Sequence, residues 1–137
     1  MVDIDGKPYL DGGCSCKIPY QWAIDQGFEK IVVIKTRHAD YRKNLKKASE
    51  TSLAYRIYHT YPEFAHVLEQ SDAAYNHQCD ELEQLAKEGR IYLISPSVPM
   101  RLSRLEKDME KLGHLYARGY KDAKDQMEQL KAYLGMQ

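Results

Sequence analysis

Ile31-Val32-Val33-Ile34 is a run of four β-branched residues set between Lys30 and Lys35. A short apolar run with no polar residue alternating through it predicts a strand buried on both faces, as in a parallel sheet lying under helices. The residues before it fit an α/β order. Val2 and Ile4 alternate with Asp3 and Asp5, Asp5-Gly6 is a hairpin-turn dipeptide, and Tyr9-Leu10 resumes the apolar pattern, so residues 2–10 predict a hairpin. Pro8 cannot donate to a ladder and keeps the return strand short or at an edge. Asp11-Gly12-Gly13 reads as a loop. Pro19 opens a helix whose apolar face is Tyr20, Ala23, Ile24 and Phe28, with Gly27 as its stop. A strand buried in a parallel sheet needs parallel neighbours, and Ile91-Tyr92-Leu93-Ile94 is the one good candidate. Two strands are too few for a sheet covered on both faces. The expectation is therefore a part of a larger α/β protein, with further strands upstream.

Downstream the pattern turns helical. Residues 37–47 carry Arg37, Arg42, Lys43, Lys46 and Lys47 against Asp40, a net charge of +4, with His38 and Tyr41 among them. No apolar helical face accompanies these charges, so a solvated loop is the simplest reading and contact with an anionic surface the sharper one. Residues 48–60 predict a short helix with Leu53, Ile57 and Tyr58 as its apolar positions. Pro62 opens a longer helix to about Lys87, with the stripe Phe64, Leu68, Tyr75, Cys79, Leu82 and Ala86 and with Gly89 as its stop. Residues 62–88 have a net charge of −6, so the acidic helix and the basic loop before it should attract each other weakly. From Leu102 to Leu134 apolar residues recur every three or four positions. Interrupted by Gly113 and Gly119, this stripe predicts a pair of amphipathic helices packed inward rather than a coiled-coil seam.

Composition narrows the function. A chain of 137 residues with 20 basic and 20 acidic side chains and a pI near 7.0 is not a strongly basic nucleic-acid binder. Its 43% apolar content is too high for a disordered segment. The longest apolar runs are four residues, too short to span a bilayer, and Met1 to Asp5 has neither the basic nor the apolar part of a secretory signal. Three cysteines, Cys14, Cys16 and Cys79, argue for a reducing, cytoplasmic setting. Cys14-Ser15-Cys16 lacks the second ligand pair of a zinc site. His66 and His77, 11 residues apart, stand about 16 Å apart along one helix and cannot share an ion, so no metal is expected.

The chain holds no G-x-x-x-x-G-K-[ST], G-x-G-x-x-G or H-E-x-x-H pattern. Gly13-Cys14-Ser15 begins like a G-x-S-x-G nucleophile elbow, but Lys17 stands at the last position and the serine follows a loop. What remains is Ile4-Asp5-Gly6-Lys7-Pro8-Tyr9-Leu10-Asp11-Gly12-Gly13, then Ile18-Pro19, Ala23-Ile24, Gly27 and Lys30 to Arg37. Tyr41-Arg42-Lys43, Tyr61-Pro62, Tyr75-Asn76, Ile94-Ser95-Pro96, Arg104 to Asp108 and Leu115 to Ala123 follow in order. Across nearly its whole length the chain resembles the C-terminal half of a bacterial patatin-like phospholipase.

That resemblance implies the C-terminal part of a three-layer α/β/α fold over residues 1–36, then a mainly helical region over 37–137 with one strand near 91–94. It also implies a lipid acyl hydrolase working by a Ser–Asp dyad, with Asp11 as the dyad carboxylate, Gly12 and Gly13 as its supporting loop, and no metal or organic cofactor. A serine hydroxyl is a poor nucleophile until a base takes its proton, and a carboxylate in a dyad takes it directly and returns it to the leaving alkoxide. Gly12 and Gly13 would permit positive φ and a close backbone approach, letting the carboxylate turn towards the serine. The family places that serine and its oxyanion loop upstream of Asp-Gly-Gly, and this sequence contains neither, so the chain alone should be inactive. Cys16 stands where the family often has Asp or Asn. The expected partners are a lipid or acyl-ester substrate in the full-length protein, peripheral membrane contact, and self-association through the exposed sheet, with no nucleic acid. The alternative is a non-enzymatic helical interaction module that keeps a remnant of the hydrolase sheet.

Overall fold

The computed structural model describes residues 2–45, 52–99, 103 and 105–136. In chain order the elements are β1 (Val2–Ile4), β2 (Lys7–Tyr9), a 3-10 turn (Gly12–Cys14), α1 (Tyr20–Asp25), β3 (Val32–Ile34), α2 (Leu53–Ile57), α3 (Pro62–Lys87), β4 (Tyr92–Ile94), α4 (Met109–Asp125) and α5 (Met127–Leu134). The fold is mixed α/β, with helices predominating. Two compact units divide the chain: residues 1–19 with 42–81, and residues 20–41 with 82–137. Among the described residues no helix is long and apolar enough to cross a membrane.

In the first unit, β1 and β2 form the expected hairpin, antiparallel with Val2 opposite Tyr9 and Asp3 opposite Pro8. Its two-residue turn places Asp5 at φ 52° and Gly6 at φ 74°, the left-handed pair that matches the twist of the strands. Asp3 Oδ1 accepts the Gly6 N–H at 3.0 Å. The residues of α3 in this unit bury Ala65, Tyr75 and Cys79, with Phe64 and Leu68 half-buried along the same stripe. Tyr58 meets Phe64 edge-on, with ring centroids 4.8 Å apart. Residues 48–51 of the expected short helix lie outside the described residues. Its described part, α2, carries Leu53 and Ile57 exposed.

The acidic helix and the basic loop do meet. The Arg42 guanidinium reaches Asp80 at 2.7 Å and Lys43 Nζ reaches Asp72 at 2.5 Å. Between them the Asn76 side chain accepts the Lys43 N–H at 2.8 Å and donates to the Lys43 carbonyl at 2.9 Å. A carboxamide that satisfies both polar groups of one residue fixes that strip of backbone more firmly than exposed ion pairs do. Lys46 and Lys47 lie outside the described residues.

The second unit is built on a two-stranded parallel sheet, with Val32, Val33 and Ile34 opposite Tyr92, Leu93 and Ile94. Burial on both faces of β3 is corrected. Ile31, Val33 and Lys35 are buried, whereas Val32 is 37% and Ile34 71% exposed. With one parallel neighbour and cover on one side, the strand alternates with period two, inward and outward. Tyr20, Leu82, Ile91 and Ile94 are also buried in this unit. Ile91, two residues before Leu93, falls on the side of Val33, whereas Ile94, opposite Ile34, falls on the other. Gly27, at φ 79°, ends the turn after α1 as expected.

Beyond β4, Gly113 and Gly119 do not interrupt the C-terminal helix. α4 runs through both, because a helical glycine costs about 1 kcal/mol without stopping a helix that is otherwise supported. Its start is fixed by Asp108, whose carboxylate accepts the N–H groups of Glu110 and Lys111. The break comes at Gln126, and α5 ends at Gly135, in the left-handed conformation at φ 72°. The stripe expected to pack inward does so only in part. Leu112, Leu115, Ala123, Leu130 and Leu134 are half-buried, but Met109, Tyr116 and Tyr120 face outward at 78%, 75% and 63% exposure. Asp122 Oδ2 accepts the Ser97 N–H at 3.0 Å, which orients the Asp122 side of α4 inward and turns Met109, Tyr116 and Tyr120 away. Leu102 lies outside the described residues.

Candidate functional site

The hairpin delivers Tyr9 and Leu10 directly into the Asp11 loop. Asp11 has extended backbone angles, φ −55° and ψ 130°, and its Oδ1 accepts the Gly13 N–H at 2.7 Å. The chain then closes a tight 3-10 turn. Cys14 N–H donates to the Asp11 carbonyl at 3.0 Å, and Ser15 and Cys16 N–H both donate to the Gly12 carbonyl, at 3.1 and 2.9 Å. Asp11 is therefore a side-chain cap that orients its own carboxylate, a habit of aspartate at turns.

The expected role of the glycines needs one correction. The positive-φ glycines among the described residues are Gly6, Gly27, Gly89 and Gly135, so Gly12 and Gly13 are not left-handed. The 3-10 turn needs right-handed angles at both. The close approach does hold at Gly13: a Cβ there would stand 3.1 Å from Asp11 Oδ1. A side chain at Gly13 would press on the carboxylate and displace it.

The loop is fastened at its exit. Lys17 Nζ donates to the Gly13 carbonyl at 3.1 Å. Gln78, on α3, donates to the Ile18 carbonyl at 3.0 Å and to Cys16 Sγ at 3.4 Å. Beside this fastening lies an open groove of about 380 Å³, lined by Ser15 and Lys17 from the loop and by Ser71, Tyr75, His77 and Gln78 from α3. Asp11 does not line it. Its carboxylate is solvent-exposed, and among the described residues the Gly13 N–H is its hydrogen-bond donor. Such a group is available to accept a proton from a hydroxyl brought to it; no hydroxyl of the described residues is brought to it.

The cysteines and histidines are dispersed. Among the described residues, no group of three or more His, Cys, Asp or Glu could hold a metal ion. His77 faces Glu81 at 3.0 Å one turn along α3, and His66 lies between the Tyr55 hydroxyl and Gln70. Sequence reasoning singled out neither Gln78 nor Asn76 as a brace. Both are polar residues on a polar helix, and neither periodicity nor spacing marks the loop that each holds.

A family model for a domain of unknown function, DUF6363, matches residues 61–135, more than half of the chain, and the chain belongs to that family. The match starts at the residue before α3 and ends at the Gly135 cap, so it covers α3, β4, α4 and α5 and leaves out the Asp11 loop. No curated protein matches the sequence. No solved structure matches it either.

Proposed function

We propose that this DUF6363 member is the C-terminal part of a patatin-like lipid acyl hydrolase, in which Asp11 is the base of a Ser–Asp dyad and the helical region carries the rest of the chain's structure. The observation that carries the reading is the Asp11 carboxylate. It leaves a hairpin on a short turn, it is oriented by the Gly13 N–H at 2.7 Å, and it remains exposed to a hydroxyl supplied from outside the described residues. In the step proposed, that carboxylate takes the proton of a serine hydroxyl as the oxygen attacks an acyl ester, and returns it to the alkoxide that leaves. The bared side of β3, at Val32 and Ile34, fits a sheet that in such a three-layer hydrolase lies between two helical layers.

This chain has no G-x-S-x-G. Purified alone, it should neither turn over a p-nitrophenyl ester nor take up a serine-directed fluorophosphonate, and either result would end the proposal. Joined to a segment that carries the serine elbow, it should hydrolyse acyl esters. Asp11→Asn should then cut turnover by about 10²–10⁴-fold, the usual worth of a general base, with the melting curve unchanged. A near wild-type rate would leave Asp11 as a turn cap only. One observation favours a second, non-enzymatic reading as an interaction module: the apolar side chains that α4 turns to solvent.

A further inference from the structure

The outward face of α4 is apolar, and its charges are arranged with a symmetry of their own. At 100° per residue, Met109, Gly113, Tyr116 and Tyr120 fall within about 60° of arc. The three side chains in this strip are the most exposed large apolar groups of the helix. Gly113 leaves a gap between Met109 and Tyr116, and a Cβ placed there would touch nothing within 4 Å. Beside the strip, on one flank, stand Glu110 towards the N-terminal end and Lys121 and Lys124 towards the C-terminal end.

We infer that α4 pairs antiparallel with α4 of a second copy of this chain. Met109 and Tyr120, Gly113 and Tyr116, and Glu110 and Lys121 are each centred on residue 115 to within half a residue. A two-fold axis at that point therefore sets each member of a pair against its mate in the other copy. Tyr116 of one copy fills the gap over Gly113 of its partner, where the absent side chain lets the helices approach closely. Met109 meets the ring of Tyr120, a favourable sulfur–aromatic contact. In an antiparallel pair the same flank of both helices meets, so Glu110 of each copy faces Lys121 of the other, twice over. These charges already have partners within the helix, His114 for Glu110 at 3.7 Å and Asp125 for Lys121. Exposed pairs of that kind are weak and exchange readily.

A helix of 17 residues is about 26 Å long, and one such pair lies at the small end of stable interfaces, so the association should depend on concentration. The inference does not rest on the hydrolase reading, and esterase activity plays no part in its test. Sedimentation velocity of the full chain from dilute to concentrated solution should show monomer passing to dimer. Glu110→Lys and Lys121→Glu should each weaken the dimer about tenfold, because each places like charges in both pairs. Mixed in equal amounts, the two variants should form a heterodimer tighter than either homodimer. Gly113→Leu should favour the helix within the protomer and yet weaken the dimer. Circular dichroism would confirm that each variant is folded. A wild-type chain that remains monomeric throughout overturns the inference. So does a dimer indifferent to both charge reversals, a mixture no tighter than its components, or a dimer strengthened by Gly113→Leu.

Discussion

Removing one oxygen atom, in Tyr133→Phe, should weaken the second unit as much as a sizeable core truncation. The Tyr133 hydroxyl accepts the Ile31 N–H at 3.0 Å and lies 3.1 Å from the Arg90 carbonyl and 3.3 Å from the Ile31 carbonyl. It thus joins the residues that lead into β3 and β4. The Ile31 carbonyl keeps a second donor, the Tyr92 N–H at 2.8 Å, so the loss falls on the Ile31 N–H and the Arg90 carbonyl. Ile31 is buried, and a buried donor left without its acceptor costs about 1–3 kcal/mol. The ring is retained, with its packing on Tyr92 at 5.6 Å and the Lys30 ammonium over its face at 4.7 Å, so little else changes. With an unfolding entropy of about 2.1 cal/mol/K per residue, that cost lowers Tm by about 3–10 °C for a chain of this length. Urea unfolding followed by circular dichroism, together with amide exchange at Ile31, measures it. Tyr120→Phe, on the exposed side of α4, is the control and should be silent. A Tyr133→Phe variant within about 0.3 kcal/mol of wild type, with Ile31 exchange unchanged, would refute the reasoning, because a satisfied buried amide cannot lose its partner at so small a cost.

Two further outcomes follow from the C-terminal helices. Gly119→Ala, inside α4 with open space around the added methyl, should stabilise by about 0.5–1 kcal/mol, while Gly135→Ala, at φ 72°, should destabilise by about 1–2 kcal/mol, both read from urea midpoints. Hydrogen bonding to Ser97 holds the Asp122 carboxyl below its ordinary value, aided more weakly by the nearby Arg118 and Lys121 charges. Because the folded-state value is depressed, this contribution to stability is complete above the ordinary carboxylate range and is lost as pH falls through the folded-state value. The Ser97 amide shift followed by NMR should therefore titrate with a midpoint below the ordinary aspartate value, and Asp122→Asn should abolish that titration.

The sequence was most informative where the signal is local. Asp5-Gly6 dictates its own turn through two positive φ angles, and Pro62 and Gly89 bound α3 by what each does to its neighbouring backbone. β3 was legible as a strand but not in its faces. Four β-branched residues carry no alternation, and the exposed side depends on a partner strand 60 residues away in register. The rotation of α4 was hidden for a similar reason. The 3.6-residue period gives a stripe, but the Asp122–Ser97 bond and the half-buried Leu112 and Leu115 decide which edge of it turns inward. At the candidate site the Asp11 loop is visible from Asp-Gly-Gly, while the angles of Gly12 and Gly13 differ from the positive φ that the glycine pair suggests. The carboxylate is oriented by accepting the Gly13 N–H in a right-handed turn, so no left-handed glycine is needed. Tyr133 and Asn76, which fasten backbone 102 and 33 residues away, leave no periodic trace.

The parallel pairing of β3 with β4 also bears on how the protein is made. Ile34 pairs with Ile94, so the apolar run at 31–34 leaves the ribosome well before its partner has been translated. At about 5–20 residues per second the wait for those 60 residues is about 3–12 s, very long beside the microseconds in which a hairpin or a helix forms. All of β1, β2 and α1 has therefore been translated while β3 still exposes an unpaired edge, and the Tyr133 hydroxyl that locks the entrance to the sheet is translated later still. During that interval the nascent chain presents the kind of short, uncharged β-branched segment that holding chaperones capture and that other unfinished chains pair with. Lys30 and Lys35, one on each side of the run, are the charges placed to limit such pairing.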